Sequence, residues 1–310
     1  MSGATNLPAS VSARLLHRAR QTGDDYQGLL TSYCLERFLY RVGVSQARDR
    51  FVLKGAMLLR LWSDRPYRAT RDLDLLGMRD ASSEIPAALR AICEADAAPD
   101  AVIFDAADIE LTEIRAEDEY AGVRATLPAR LGTARLRLQI DIGRADAVWP
   151  EPNRRAYPTL LDFPAPEILV YPREAVIAEK LEAMVVLGDR NSRIKDFFDL
   201  DHLAASFEFD RSILAEAVRR TFARRGTPIP TEAPIGLTPA YWENPSRPAQ
   251  VRAFARRAGI EATDRSGATL QTRLASFLLP VLADAHSGER RPWAWPPGGP
   301  WVRSGPAEAR

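Results

Sequence analysis

Residues 71–77, RDLDLLG, and residues 134–143, ARLRLQIDIG, decide how this chain folds. Both alternate polar and apolar side chains and both end at a glycine, the pattern of a strand with one buried face. In the first, Asp72 and Asp74 stand at i and i+2, so their carboxylates leave one face while Leu73 and Leu75 leave the other. In the second, Leu136, Leu138 and Ile140 form the apolar face, and Arg135, Arg137, Gln139 and Asp141 form the polar one. Two anions side by side on a strand repel one another unless cations sit between them. Magnesium suits hard oxygen ligands. With Asp141 brought in from a neighbouring strand, three carboxylates make a set fit for two-metal phosphoryl transfer. The plain alternatives are a solvent-facing D-x-D and an Asp141 salt-bridged to a nearby arginine.

Working outward, FVLK at residues 51–54 is a short apolar strand that ends at Gly55, and AMLLRLW after it reads as a helix of about two turns. Lys54-Gly55 thus lies at a strand-to-helix junction, where a glycine lets phosphate oxygens approach backbone N–H groups. A tight turn accounts for these two residues equally well. No G-x-x-x-x-G-K-[ST] string occurs, so this is not a P-loop. Thr70 and Arg71 offer a hydroxyl and a guanidinium beside the acidic strand. The spacing predicts two amphipathic helices over 11–42, a helix over 83–95, and strands near 101–104, 109–115 and 122–131. From Pro172 the periodicity is helical almost to residue 285. The tail RPWAWPPGGPW, residues 291–301, is too rich in Pro and Gly for regular structure, and its Trp293, Trp295 and Trp301 are expected to pack it onto the body. Five prolines in residues 151–172 mark a boundary between a lobe of residues 1–165 and one of residues 166–310.

Composition narrows the class. The chain has 310 residues, 46% hydrophobic and 27% charged, as in ordinary globular proteins. No apolar run approaches the roughly 18 residues of a membrane span, and the N-terminus lacks a secretory pattern. Two cysteines and three histidines without metal-site spacing argue against a disulfide framework or a zinc centre, and a cytoplasmic location is expected. The net charge of +1 hides a polarity: residues 211–310 carry 15 basic and 8 acidic residues, and residues 1–210 carry 27 and 33. A negative front suits metal cations and a positive back suits an anionic partner; two solvated surfaces would look the same. Of 42 basic residues 39 are arginine, and the three lysines, Lys54, Lys180 and Lys195, all fall in segments singled out on other grounds. A lysine kept in so arginine-rich a chain marks a place where the planar guanidinium does not fit.

On a helix over 173–187, Val176, Ile177, Leu181 and Met184 form the apolar stripe, and Lys180 falls within it. Such a lysine either snorkels to solvent or faces a cleft that holds an anion. The next helix turns Asp196 inward as well, with Asp199 at the stripe's edge and Lys195 pointing away. A buried Lys180–Asp196 ion pair is the plain reading. A charged pair beside a triphosphate, with Arg193 reaching the same phosphates, is the functional one. Farther on, Arg219, Arg220, Arg224, Arg225, Arg252, Arg256 and Arg257 are interspersed with Phe222, Trp242 and Phe254. Basic residues among aromatics suit RNA phosphates and unstacked terminal bases, although solvated helices can look alike.

The blocks KGAMLLRLW, RATRDLDLLG, QIDIG, EKLEAM and RIKDFFDL, in that order over roughly residues 50–205, resemble the AbiEii/AbiGii (MenT-type) toxin nucleotidyltransferases of the DNA polymerase β-like superfamily. Two positions depart from many relatives: Ala56 replaces a second glycine and Thr70 replaces a serine. Both changes keep the site small and hydroxylated. The resemblance implies an α+β fold, a polymerase β-like nucleotidyltransferase lobe with a mixed sheet followed by a mainly helical lobe. It implies a bacterial toxin with a cognate antitoxin, transferring a nucleoside monophosphate from an NTP to the 3′ acceptor end of tRNA with Mg2+ and blocking aminoacylation. Carried over residue by residue, Asp72 and Asp74 hold magnesium, Lys180 meets the triphosphate, and Asp196 completes the site. The alternatives are modification of a small molecule or a protein hydroxyl, and a non-catalytic nucleotide-binding regulator.

Overall fold

A computed structural model describes residues 6–63, 70–77, 84–114, 122–143, 148–260 and 266–304. Arg68 and Ala69 of the RATRDLDLLG block, residue 83 of the expected helix and Arg115 of an expected strand lie outside these residues. The chain divides into two compact units, residues 1–147 with 152–171, and residues 148–151 with 172–310.

The first unit begins with α1 (Leu7–Thr22) and α2 (Tyr26–Val44). Asn6 and Asp25 cap them by accepting the N–H groups of Ala9 and Gly28, and Gly23 ends α1 in the left-handed conformation. Both helices are longer than the mixed spacing of residues 11–42 implies. Then follow β1 (Phe51–Lys54), a 3-10 turn at Gly55–Met57, α3 (Leu58–Trp62), β2 (Asp72–Gly77), α4 (Ile85–Cys93), β3 (Val102–Phe104) and β4 (Glu110–Ile114). Strands β5 (Gly122–Leu131), β6 (Ala134–Gly143), β7 (Asn153–Ala156) and β8 (Glu167–Val170) complete the unit. The strands form one mixed sheet in the order β3-β5-β6-β2-β1-β8-β7, with β4 also paired to β5. β2 runs parallel to β6 and β1 parallel to β8, while β1 with β2 and β5 with β6 are antiparallel. Leu53, Leu73, Leu75, Ile140 and Ile142 make one buried row, at most 1% exposed. Helix α2 packs against β6 and β8. Residues 167–170, which the proline-rich stretch assigns to the second lobe, belong to the first because β8 pairs with β1.

The second unit is helical: α5 (Arg173–Leu187), α6 (Ile194–Ser206), α7 (Arg211–Arg225), α8 (Pro239–Trp242), α9 (Arg247–Ala258) and α10 (Gly267–Ser287). Ion pairs to buried carboxylates tie the helices together. Arg211 grips Asp284 through two bonds of 2.5 and 3.0 Å, and Arg273 reaches Asp201 at 2.5 Å. The tail is more regular than its prolines imply. β10 (Trp293–Trp295) pairs with β9 (Phe209–Asp210) and with β11 (Val302–Arg303). Trp295 and Trp301 pack on Phe277 and donate their N–H groups to Ala204 and Phe277 carbonyls, so these aromatics hold the tail in place.

Candidate active site

Register assembles the site in the first unit. Lys54 of β1 lies opposite Asp74 of β2, Asp74 beside Asp141 of β6, and Asp141 opposite Arg124 of β5. Residues in register on adjacent strands share a face, so four strands present one row of alternating charge: Lys54, Asp74, Asp141, Arg124. Asp72, two residues from Asp74, belongs to the same face and is in register with Gln139. Lys54 is 8% exposed, and its ammonium stands 5.7 Å from the Tyr171 ring centre.

Gly55 follows at φ 71°, a conformation that costs an L side chain roughly 1–2 kcal/mol. Space is a stricter limit. A Cβ at position 55 would lie 1.8 Å from Asp74 Oδ2, so the turn backbone passes directly against that carboxylate. The glycine thus serves the acid as well as the turn. The helix after it, α3, has five residues, too short to present the strong N-terminal field expected at this junction.

Thr70 donates its hydroxyl to the Asp72 carboxylate, and so orients that acid. Arg71 is 81% exposed at its side chain and stands 3.7 Å from Asp25. Asp141 makes the salt bridge that the plain reading expects. Arg124 binds both of its oxygens at 2.8 Å and Gln139 adds a third bond at 3.2 Å, so this carboxylate is already satisfied by protein donors. Among the described residues no three His, Cys, Asp or Glu side chains gather closely enough to hold a metal ion. Asp72 and Asp74 are the other two carboxylates of the expected set, side by side on one face of β2. The sequence carried a signal for Arg124: the β5–β6 hairpin turns at Gly132-Thr133, and counting back from Leu131↔Ala134 leads to Arg124↔Asp141.

The second unit holds a different cluster. Lys180 contacts Asp196 and, at 2.8 Å, Asp199. Arg193 bonds the other Asp196 oxygen at 2.6 Å, and its own N–H is held by Asn191 Oδ1 at 2.9 Å. Burial alone would raise the Asp196 carboxyl; Lys180 and Arg193 outweigh it and hold the group down at about 2. Asp199, 3% exposed, is pushed well above the usual carboxylate range by burial. Asp199 is buried rather than at a stripe's edge, while Lys195 is exposed as expected.

The expected RNA-facing arginines divide into two groups. Arg219 and Arg220 hold Glu216 at 2.7 and 2.5 Å, and Arg220 also lies 4.2 Å over Trp149. Arg225 bonds buried Glu182 at 2.6 Å, and Arg224 stands 3.9 Å from Glu179, so both bind α7 to α5. Arg256 and Arg257 are exposed on α9.

With this geometry in hand, comparison with known proteins identifies the class. The family described as "Nucleotidyl transferase AbiEii toxin, Type IV TA system" matches residues 37–276, and the chain belongs to that family. It is therefore a nucleotidyltransferase of a toxin–antitoxin system, and such a system implies an antitoxin partner. Among solved structures, a protein assigned as a nucleotidyltransferase from H. pylori is 17% identical at a TM-score of 0.47, covering 85% of this chain and 96% of that one. JHP933 from Helicobacter pylori is 16% identical at 0.46, covering 85% and 94%. No curated protein sequence matches the chain. No helix among the described residues is long and apolar enough to cross a membrane.

Proposed function

We propose that this chain transfers a nucleoside monophosphate from an NTP to the 3′ acceptor end of tRNA, with Mg2+, and thereby blocks aminoacylation. The observation that carries the chemistry is the in-register row with Asp72 beside it. Two carboxylates on one strand face, one oriented by Thr70 and the other pressed against Gly55, offer the hard oxygen donors that magnesium takes. Asp72 and Asp74 would hold the ion. Asp141, gripped by Arg124, is the third carboxylate of the proposed set. Bound magnesium would lower the pKa of the attacking hydroxyl and share the phosphate charge.

The chain's own residues do the rest. Lys54 and Gly55 are the proposed nucleotide contacts at the turn, with Thr70 holding Asp72 in place and Arg71 at the exposed end of the strand. Lys180 is the proposed triphosphate contact, with Arg193 beside it. Asp196 stays ionised at every physiological pH and keeps both cations in position. The excess of arginine in residues 211–310 supports a polyanionic acceptor over a small one. Arg256 and Arg257 suit it better than Arg219, Arg220, Arg224 and Arg225, which hold glutamates. Incubating the protein with total tRNA and each labelled NTP tests the reading. Label at the RNA 3′ end is expected. Label on a small molecule or on protein, with none on RNA, would overturn the acceptor assignment.

A further inference from the structure

The helical unit contains a cavity that this reading leaves without a role. It measures about 500 Å3 and is walled by Pro239, Trp242, Val251, Arg252, Ala268 and Gln271, from α8, α9 and the start of α10. That volume falls in the range of small-ligand sites, roughly 300–1,000 Å3.

Its walls are mostly apolar and one is aromatic. The Trp242 N–H already donates to the Gly236 carbonyl at 3.1 Å, so the indole offers the cavity its ring surface and no hydrogen bond. The backbone of α10 lies against that ring: a Cβ at Gly267 would come within 2.6 Å of Trp242 Cε3. Its charged lining residues are Arg247, Arg252 and Glu243. Helix α9, RPAQVRAFARRA, has four arginines and no acid. Arg247 is spent internally, on the Asn191 and Asp189 carbonyls at 2.8 and 2.6 Å. Arg252 and Arg256 are exposed, one helical turn apart, and hold no partner among the described residues. On α7, by contrast, Arg219 and Arg220 share one glutamate.

The cavity is also joined to the charged cluster of its own unit. Phe197, next to Asp196, meets Trp242 edge-on at 4.9 Å and stacks on Tyr241 at 5.2 Å. Tyr241 and Arg247 both bond the Asn191 carbonyl, and Asn191 holds the Arg193 N–H. A ligand seated against Trp242 therefore bears on the helix start that carries Arg193 and Asp196.

We infer that this cavity receives one unstacked base from near the 3′ end of the acceptor RNA, with Arg252 and Arg256 meeting the phosphates beside it. The inference rests on the reading that the acceptor is RNA. An apolar and aromatic wall accepts any base, and adjacent exposed arginines select for a strand that carries phosphates; together they make a single-strand site.

The test measures binding of a single-stranded RNA 12-mer with a free 3′ hydroxyl to the full chain, without NTP. Abasic sites are placed in turn at each of the last four positions. With the unaltered protein, one position is expected to bind about tenfold more weakly than the rest, the loss of one stacked base. Ala268→Trp, which fills the cavity from an exposed position, should weaken intact RNA by the same factor. It should cost nothing further on the sensitive abasic RNA, because both changes remove one contact. Ala268→Leu is the milder filling variant should the tryptophan disturb folding. Arg252→Gln with Arg256→Gln should lower the log–log salt slope by about 1.4 and leave the Tm unchanged. Four equal abasic positions, or normal RNA binding by a folded Ala268 variant, would overturn the inference. So would a loss of ATP binding with RNA binding intact, which would mark a nucleotide pocket. RNA labelling that persists with no effect of the cavity variants on binding defeats the inference and leaves the transferase reading standing. Base-dependent RNA binding without any transfer does the reverse.

Discussion

On β2, Asp72 and Asp74 lie two residues apart, one held by the Thr70 hydroxyl and the other pressed against Gly55. On α7, four arginines lie within seven residues, and each holds a glutamate. Both stretches looked functional because charge is dense in them. They differ in what surrounds the charge. A strand face in a mixed sheet places its neighbours by register, so the two like charges on β2 stay side by side on one face. A helix in a bundle meets partners on several sides, and α7 finds its counter-ions on itself and on α5. Dense charge on a sheet face is therefore a better pointer to a ligand than dense charge on a bundled helix.

The comparison can be broken at several points. The largest effect is expected at Lys180. Its replacement by Met removes the ammonium that contacts both buried carboxylates, and should cost about 3 kcal/mol in denaturant unfolding. If stability is unchanged, the cluster is not held as described. Acid titration gives the next effect. The Asp196 carboxyl sits near 2, below its unfolded value, so the stability it contributes is present above about pH 4 and is lost as pH falls toward 2. The contribution is about 2 kcal/mol, and Asp196→Asn should abolish that part of the acid loss. Asp199 acts in the opposite sense: its raised carboxyl stabilises most at low pH, and that contribution is lost as pH rises through its folded value.

Gly55→Ala tests the sheet side. The left-handed backbone should cost about 1–2 kcal/mol, and the displaced Asp74 carboxylate should reduce transfer more than that loss of stability explains. A stable variant with full activity would separate Gly55 from the acid. The smallest effect divides the arginines. Arg225→Gln should destabilise by about 1 kcal/mol, since among the described residues buried Glu182 then keeps the Thr227 hydroxyl as its one side-chain donor. Arg256→Gln with Arg257→Gln should stay within about 0.5 kcal/mol of the parent and weaken RNA binding instead.

Much of this was readable in the chain because strands β2, β5 and β6 alternate polar and apolar residues, the acids of β2 and β6 fall on the polar phase, and β1 is a short apolar run ending at a glycine. β7 and β8 were not, because β8 is four residues of EILV between prolines, too short to show a period. Asp199 looked marginal on a helical wheel, yet the packing of α6 buries it against Lys180. Arg124 was hidden for another reason: its importance depends on pairing with Asp141, and only the hairpin register supplies that. The Trp242 cavity depends on three separated helices and left only the arginines and aromatics as a trace.

The measurement that bears most directly on the acidic row is the single-turnover rate of nucleotide transfer by Asp72→Asn, with a melting curve of the same preparation. The rate should fall more than about 100-fold, beyond the 10–100-fold typical of residues that merely support a metal site. The Tm should hold or rise, because one of two repelling carboxylates has been neutralised. Transfer at the parent rate by a folded Asp72→Asn protein would contradict the assignment of this strand as the catalytic one.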